Sequence, residues 1–97
     1  MPKERKPCFN CGRYCFTERH HIFGGANRKL SEKDGLVVDL CHACHNEPPN
    51  GVHYSKMRMD ELHQYGQIRY EQRLMNEGKT AEEARTAFMQ RYGRNHL

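Results

Sequence analysis

Apolar positions along the chain follow two different regimes. In the first half they come in short runs between turn residues. Leu36-Val37-Val38-Asp39-Leu40 is β-branched and apolar behind Asp34-Gly35, which predicts a buried strand. Phe16 to Phe23 predicts an extended segment that ends at Gly24-Gly25-Ala26-Asn27, with the basic Arg28 and Lys29 in the connection that follows. Cys41 to Glu47 predicts the start of a short helix, stopped by Pro48-Pro49-Asn50-Gly51.

In the second half the spacing turns helical. Between Tyr54 and Glu77, Leu62, Tyr65, Ile68 and Met75 recur at helical intervals, and Gly78 suits the position just past a helix end. Thr80 with Glu83 three residues later forms a capping box for a last helix, which would present Ala81, Ala84, Phe88 and Tyr92 on one face before Gly93. Two helices joined so tightly predict an antiparallel hairpin, packed on the first half through Leu62, Tyr65, Ile68 and Phe88. Strands followed by segregated helices define an α+β chain. We divide it into a charged N-terminal arm (1–7), a strand-rich unit (8–53) and the helical hairpin (54–97).

A chain of 97 residues that is only 36% hydrophobic and has no tryptophan buries a small core, so a cross-link is expected. Met1-Pro2-Lys3-Glu4-Arg5-Lys6 does not resemble a secretory leader, and no apolar run approaches a membrane span. A reducing, cytoplasmic compartment is therefore expected, where paired cysteines read as metal ligands rather than disulfides. Cys8-x2-Cys11 and Cys41-x2-Cys44 have chelate spacing, and Phe9-Asn10 with Gly12 gives the first pair the form of a zinc knuckle. One structural zinc on Cys8, Cys11, Cys41 and Cys44 is expected. Cys15 is left over and is expected to be a buried free thiol, with a ligand role in place of Cys11 as the alternative.

Charge adds a direction. Residues 1–33 carry a balance of +5 and residues 34–97 one of −1. A basic half suits a phosphate backbone as partner.

Between the Cys pairs lies Glu18-Arg19-His20-His21-Ile22, and Leu40-Cys41-His42-Ala43-Cys44-His45 closes the unit. On these residues the chain resembles the HNH (His-Me finger) endonucleases, in the form of their small zinc-containing phage and prophage members. The resemblance covers roughly residues 8–53. It implies a zinc-stapled, treble-clef-like ββα-metal core and a divalent-metal-dependent hydrolysis of DNA phosphodiester bonds, in a host cytoplasm if phage-encoded. His21 would be the general base, and His20 and His45 would hold the catalytic cation, Mg2+ or Mn2+ with Zn2+ or Ni2+ as further candidates. The family's further ligand one helical turn after His45 would fall on Pro49, which cannot serve. Val52-His53 resembles the expected dipeptide, displaced by an insertion, so His53 is the third candidate ligand.

The middle Asn of the motif, which orients the base, would fall near Asp34-Gly35-Leu36, where there is none. Arg19, Arg28 and Lys29 flank the site as candidate phosphate contacts. His42 is expected to be exposed, and His63 and His96 to be surface residues. Tyr14 and Phe23 are expected in the core, with stacking on nucleic-acid bases as the alternative. The alternative function is a non-catalytic zinc-containing module that binds DNA or protein on the same scaffold. The C-terminal helices are a candidate surface for a protein partner or self-association.

Overall fold

The computed structural model describes residues 4–97. Among the described residues, four short strands form two separate antiparallel pairs. Strand β1 (Arg5–Pro7) pairs with β2 (Tyr14–Phe16), Arg5 opposite Phe16 and Pro7 opposite Tyr14. The second half of the expected arm is thus a strand, and Met1–Lys3 lie outside the described residues. Between β1 and β2 runs the Cys8–Cys11 turn, closed by the Cys8 amide donating to the Arg13 carbonyl at 2.8 Å.

The extended segment expected over residues 16–23 divides at Thr17. Strand β3 (Glu18–His21) belongs to the second pair, with β4 (Val37–Leu40); Glu18 lies opposite Leu40 and His21 opposite Val37. The connection between them is more ordered than its composition suggests. A 3-10 turn at Gly25–Asn27 leads into helix α1 (Arg28–Lys33), which carries Arg28 and Lys29. Ser31 holds this helix in place: its fully buried hydroxyl donates to the Leu36 carbonyl and accepts the Phe23 amide at 3.2 Å.

Helix α2 (His42–Asn46) follows β4, with the Cys41 sulfur accepting the Cys44 amide at its first turn. A 3-10 turn at Val52–Tyr54 then leads to the long α3 (Lys56–Asn76) and to α4 (Ala81–Tyr92). The Thr80–Glu83 capping box forms as its sequence predicts, and Ser55 caps α3.

One core joins both halves, built from Ile22, Phe23, Leu36, Val38, Leu40, Val52, Leu62, Phe88 and Tyr92 with Cys8 and Cys41. Leu62 and Phe88 pack as expected and Tyr65 is partly buried, but Ile68 and Met75 are exposed, as is Ala81. The buried stripe of α3 is instead Leu62, Gly66, Gln67 and Glu71. Gly66 is needed because a Cβ there would lie 2.7 Å from Ile22 and 2.9 Å from Phe23. Gln67 and Glu71 are buried because their polar atoms are matched. Gln67 donates to Glu71 and Asn95 and accepts the His96 amide, while Arg85 donates to Glu71 at 2.8 Å. Apolar periodicity cannot reveal a stripe of this kind.

In the last turn of α4, Arg91 grips the Asp34 carboxylate with two hydrogen bonds, of 2.6 and 2.9 Å. Tyr92 donates to the same carboxylate. Tyr14 is exposed rather than in the core, whereas Phe23 is buried as expected. No helix among the described residues is long and apolar enough to cross a membrane.

Candidate metal centres and the histidine cleft

The knuckle turn brings Cys8 and Cys11 against the start of α2, where Cys41 is the N-cap and Cys44 lies in the first turn. Their four sulfurs lie within 4.8 Å of one another. Sulfurs 2.3 Å from a tetrahedral centre would be about 3.8 Å apart, and Cys11 Sγ lies 3.8 Å from Cys41 Sγ. Nitrogen donors already face the sulfurs: the Cys11 amide faces Cys8, the Cys44 amide Cys41, and Asn10 Nδ2 Cys44.

Burial raises the Cys8 pKa, but the Cys11, Cys41 and Asn10 amides outweigh it and hold the thiol at about 6. Burial and the neighbouring sulfurs push Cys44 up to about 12. Four thiolates at such distances cannot coexist without a cation. The set fits a structural metal such as zinc. Cys15 stands outside it, half-buried, its pKa raised by desolvation and the nearby thiols.

The second cluster is built on β3. Strand alternation sends neighbouring side chains to opposite faces, and it divides Glu18-Arg19-His20-His21 into two pairs. Glu18 and His20 share one face, toward α2. His20 is buried, and its Nε2 has no hydrogen-bond partner. Its ring lies 5.1 Å from that of His45 and 5.2 Å from that of His53. His45 Nε2 and His53 Nε2 are 3.0 Å apart, and one nitrogen from each of the three histidines fits within 4.8 Å.

Burial, with His45 and His53 beside it, lowers the His20 pKa to about 4, which leaves the ring neutral and its lone pair available. Desolvation lowers His53 as well. A buried orphan nitrogen facing two others is costly in a protein interior. A bound cation relieves that cost, so this set also fits a metal ion.

Glu18 organises the cluster from behind. Its carboxylate accepts His45 Nδ1 at 2.8 Å, which turns His45 Nε2 toward His20 and His53. His42 Nδ1, at 3.0 Å, and Asn46 Nδ2, at 3.2 Å, donate to the same carboxylate. The His45 and His42 hydrogen bonds hold Glu18 below the usual carboxylate range. His42 is exposed, as expected. One carboxylate thereby joins the helix that carries two of the cysteines to the histidine cluster.

Arg19 and His21 take the opposite face of β3 and both meet Glu32 of α1. Arg19 donates through Nε at 3.1 Å and Nη2 at 2.7 Å, and His21 Nε2 lies 2.7 Å from Glu32 Oε2. Arg19 thus directs one edge of its guanidinium to Glu32. The two histidines nevertheless share an opening. An open cleft of about 470 Å³ is lined by His20, His21, His45 and His53, with Arg19 and Arg28 at its wall and Met59 and His63 from α3. Lys29 is exposed on α1 and does not line it.

Asp34, in the stretch where the motif's middle side chain would fall, binds Arg91 and Tyr92, and its carboxylate makes no hydrogen bond to His21. The expectation for two further histidines needs correction. His63 and His96 are not free surface residues. The His63 ring stacks on Phe23 at 5.4 Å, His96 lies 4.7 Å from His63, and burial lowers the pKa of both.

Sequence reasoning missed Glu18, Glu32 and His63. Alternation along β3 was a usable signal for Glu18, which lies two residues before His20. No local pattern marks Glu32 or His63, whose roles depend on how α1 and α3 pack. Compared with known proteins, the chain matches no family model, no curated protein and no solved structure.

Proposed function

We propose that the protein is a divalent-metal-dependent endonuclease that hydrolyses DNA phosphodiester bonds on a zinc-stapled ββα-metal scaffold of the HNH kind. The observation that carries this reading is the convergence of His20, His45 and His53, with His21 opening on the same cleft beside Arg19 and Arg28. The chain order of β3, β4 and α2, with histidines at the end of β3 and on α2, supports the ββα-metal assignment.

His20, His45 and His53 would hold the cation, which when bound supplies positive charge for the scissile phosphate and the leaving oxygen. Three imidazole donors suit Ni2+ or Zn2+ better than Mg2+ or Mn2+, which favour oxygen ligands. His21 accepts a proton from water as the water oxygen bonds to phosphorus and the bond to the leaving ester oxygen breaks. Arg28, and the edge of Arg19 left free by Glu32, hold the DNA backbone without reading its sequence.

Cleavage of supercoiled plasmid by the zinc-loaded chain, across several divalent cations, tests the proposal. His21→Ala should lower the rate by about 10²–10⁴-fold while zinc content, fold and DNA affinity stay unchanged. His20→Ala and His45→Ala should weaken the second cation instead, with partial recovery at higher cation concentration. Wild-type protein that binds DNA and leaves it intact with every cation would establish the non-catalytic zinc module in its place.

A further inference from the structure

We propose that Glu32 is the positioning residue for His21, taking over from α1 the task that the motif's missing middle side chain would perform. The inference rests on the nuclease reading for its catalytic consequence but on geometry for the contact itself. An ionised carboxylate only accepts hydrogen bonds, so the 2.7 Å contact makes His21 Nε2 the donor. The neutral ring then carries its proton on Nε2, and Nδ1 is left as the basic nitrogen. Among the described residues, Nδ1 has no hydrogen-bond partner.

Glu32 is itself held firmly. Arg19 grips it through two nitrogens at 2.7 and 3.1 Å. Its neighbour Ser31 anchors α1 to both sides of the strand pair, through the Phe23 amide and the Leu36 carbonyl. The Arg19 and His21 hydrogen bonds keep the Glu32 pKa below its ordinary value, so the carboxylate stays charged. Asp34 is no rival for the task, because Arg91 and Tyr92 occupy it.

The test joins a spectroscopic signature to kinetics, both on the zinc-loaded chain. Proton NMR with 15N-labelled histidine should show a downfield, exchange-protected Nε2–H resonance for His21. Glu32→Ala should abolish it, and Glu32→Gln, which keeps an acceptor oxygen, should retain it. Plasmid cleavage by Glu32→Ala should show kcat reduced about 10–100-fold, the scale expected when an orienting partner is removed. Zinc content should be unchanged, and Glu32→Gln should recover much of the rate.

A His21 Nε2–H resonance that is missing from the wild type, or that survives Glu32→Ala, overturns the inference. So does an active Glu32→Ala variant with full kcat. If the wild type cleaves no DNA, the nuclease reading fails alone, and the resonance still decides whether Glu32 orients His21.

Discussion

Gly51 lies so close to Glu47 that a Cβ on it would be 2.7 Å from both the Glu47 amide nitrogen and its carbonyl oxygen. The contact folds the Pro48-Pro49-Asn50-Gly51 loop onto the end of α2 and starts the 3-10 turn that carries His53 to His45. Gly51→Ala must push that turn outward. We expect a loss of about 1–3 kcal/mol, the usual cost of forcing extra atoms into a packed contact. Binding of a cation at the histidine cluster should weaken, while zinc at the four cysteines stays stoichiometric. Calorimetric titration with Ni2+ or Mn2+, alongside zinc analysis, checks both halves.

Cys8→Ser should lose zinc and folded protein together. Cys8 is both a member of the sulfur cluster and a buried core residue. Binding of a structural zinc contributes roughly 10–16 kcal/mol, against a net stability of about 5–15 kcal/mol for a domain. Zinc content measured beside a thermal melt tests the claim, and a cooperatively folded variant with full zinc would falsify it.

The helical hairpin is part of the core rather than an appendage. Phe88 is fully buried, with ring centroids 5.5 Å from Phe23 and 4.8 Å from Tyr92. Phe88→Ala should cost about 3–5 kcal/mol, and truncation after Gly78 should expose Phe23 and leave a chain prone to association. Unchanged melting temperature and a monodisperse truncated protein would show that the first half stands alone.

Acid should destabilise the fold in the imidazole range. The unfolded His20 titrates near 6.5, and burial lowers the folded value to about 4. Between these values the unfolded chain binds the extra proton, so stability is complete above about 6.5 and is lost as pH falls toward 4. Desolvation lowers His53, His63 and His96 in the same direction. Melting temperatures measured down this range should fall by about 4–8 °C per kcal/mol lost. A flat profile would mean that these rings stay hydrated.

Much of the fold can be read locally because its signals are local. The Cys-x2-Cys spacing, the β-branched run of β4, the Thr80–Glu83 box and the punctuation by Pro48-Pro49 and Gly78 each act within a few residues. They led to the cysteine cluster, β4, α2 and both long helices. The candidate histidines His20, His45 and His53 were also named from sequence, through a resemblance that carries positions rather than contacts.

What the tertiary structure decided lies in pairings between distant residues. Glu18 was claimed by His45, Glu32 by His21 and Asp34 by Arg91, across sequence separations of 27, 11 and 57 residues. Helix α3 turned Gly66, Gln67 and Glu71 inward rather than Ile68 and Met75, because Ile22 and Phe23 needed a surface without a side chain and the C-terminal segment supplied polar partners. Hydrophobic periodicity records which residues avoid water. It does not record which polar atom will find a partner, and around the histidines that is the choice that shaped the site.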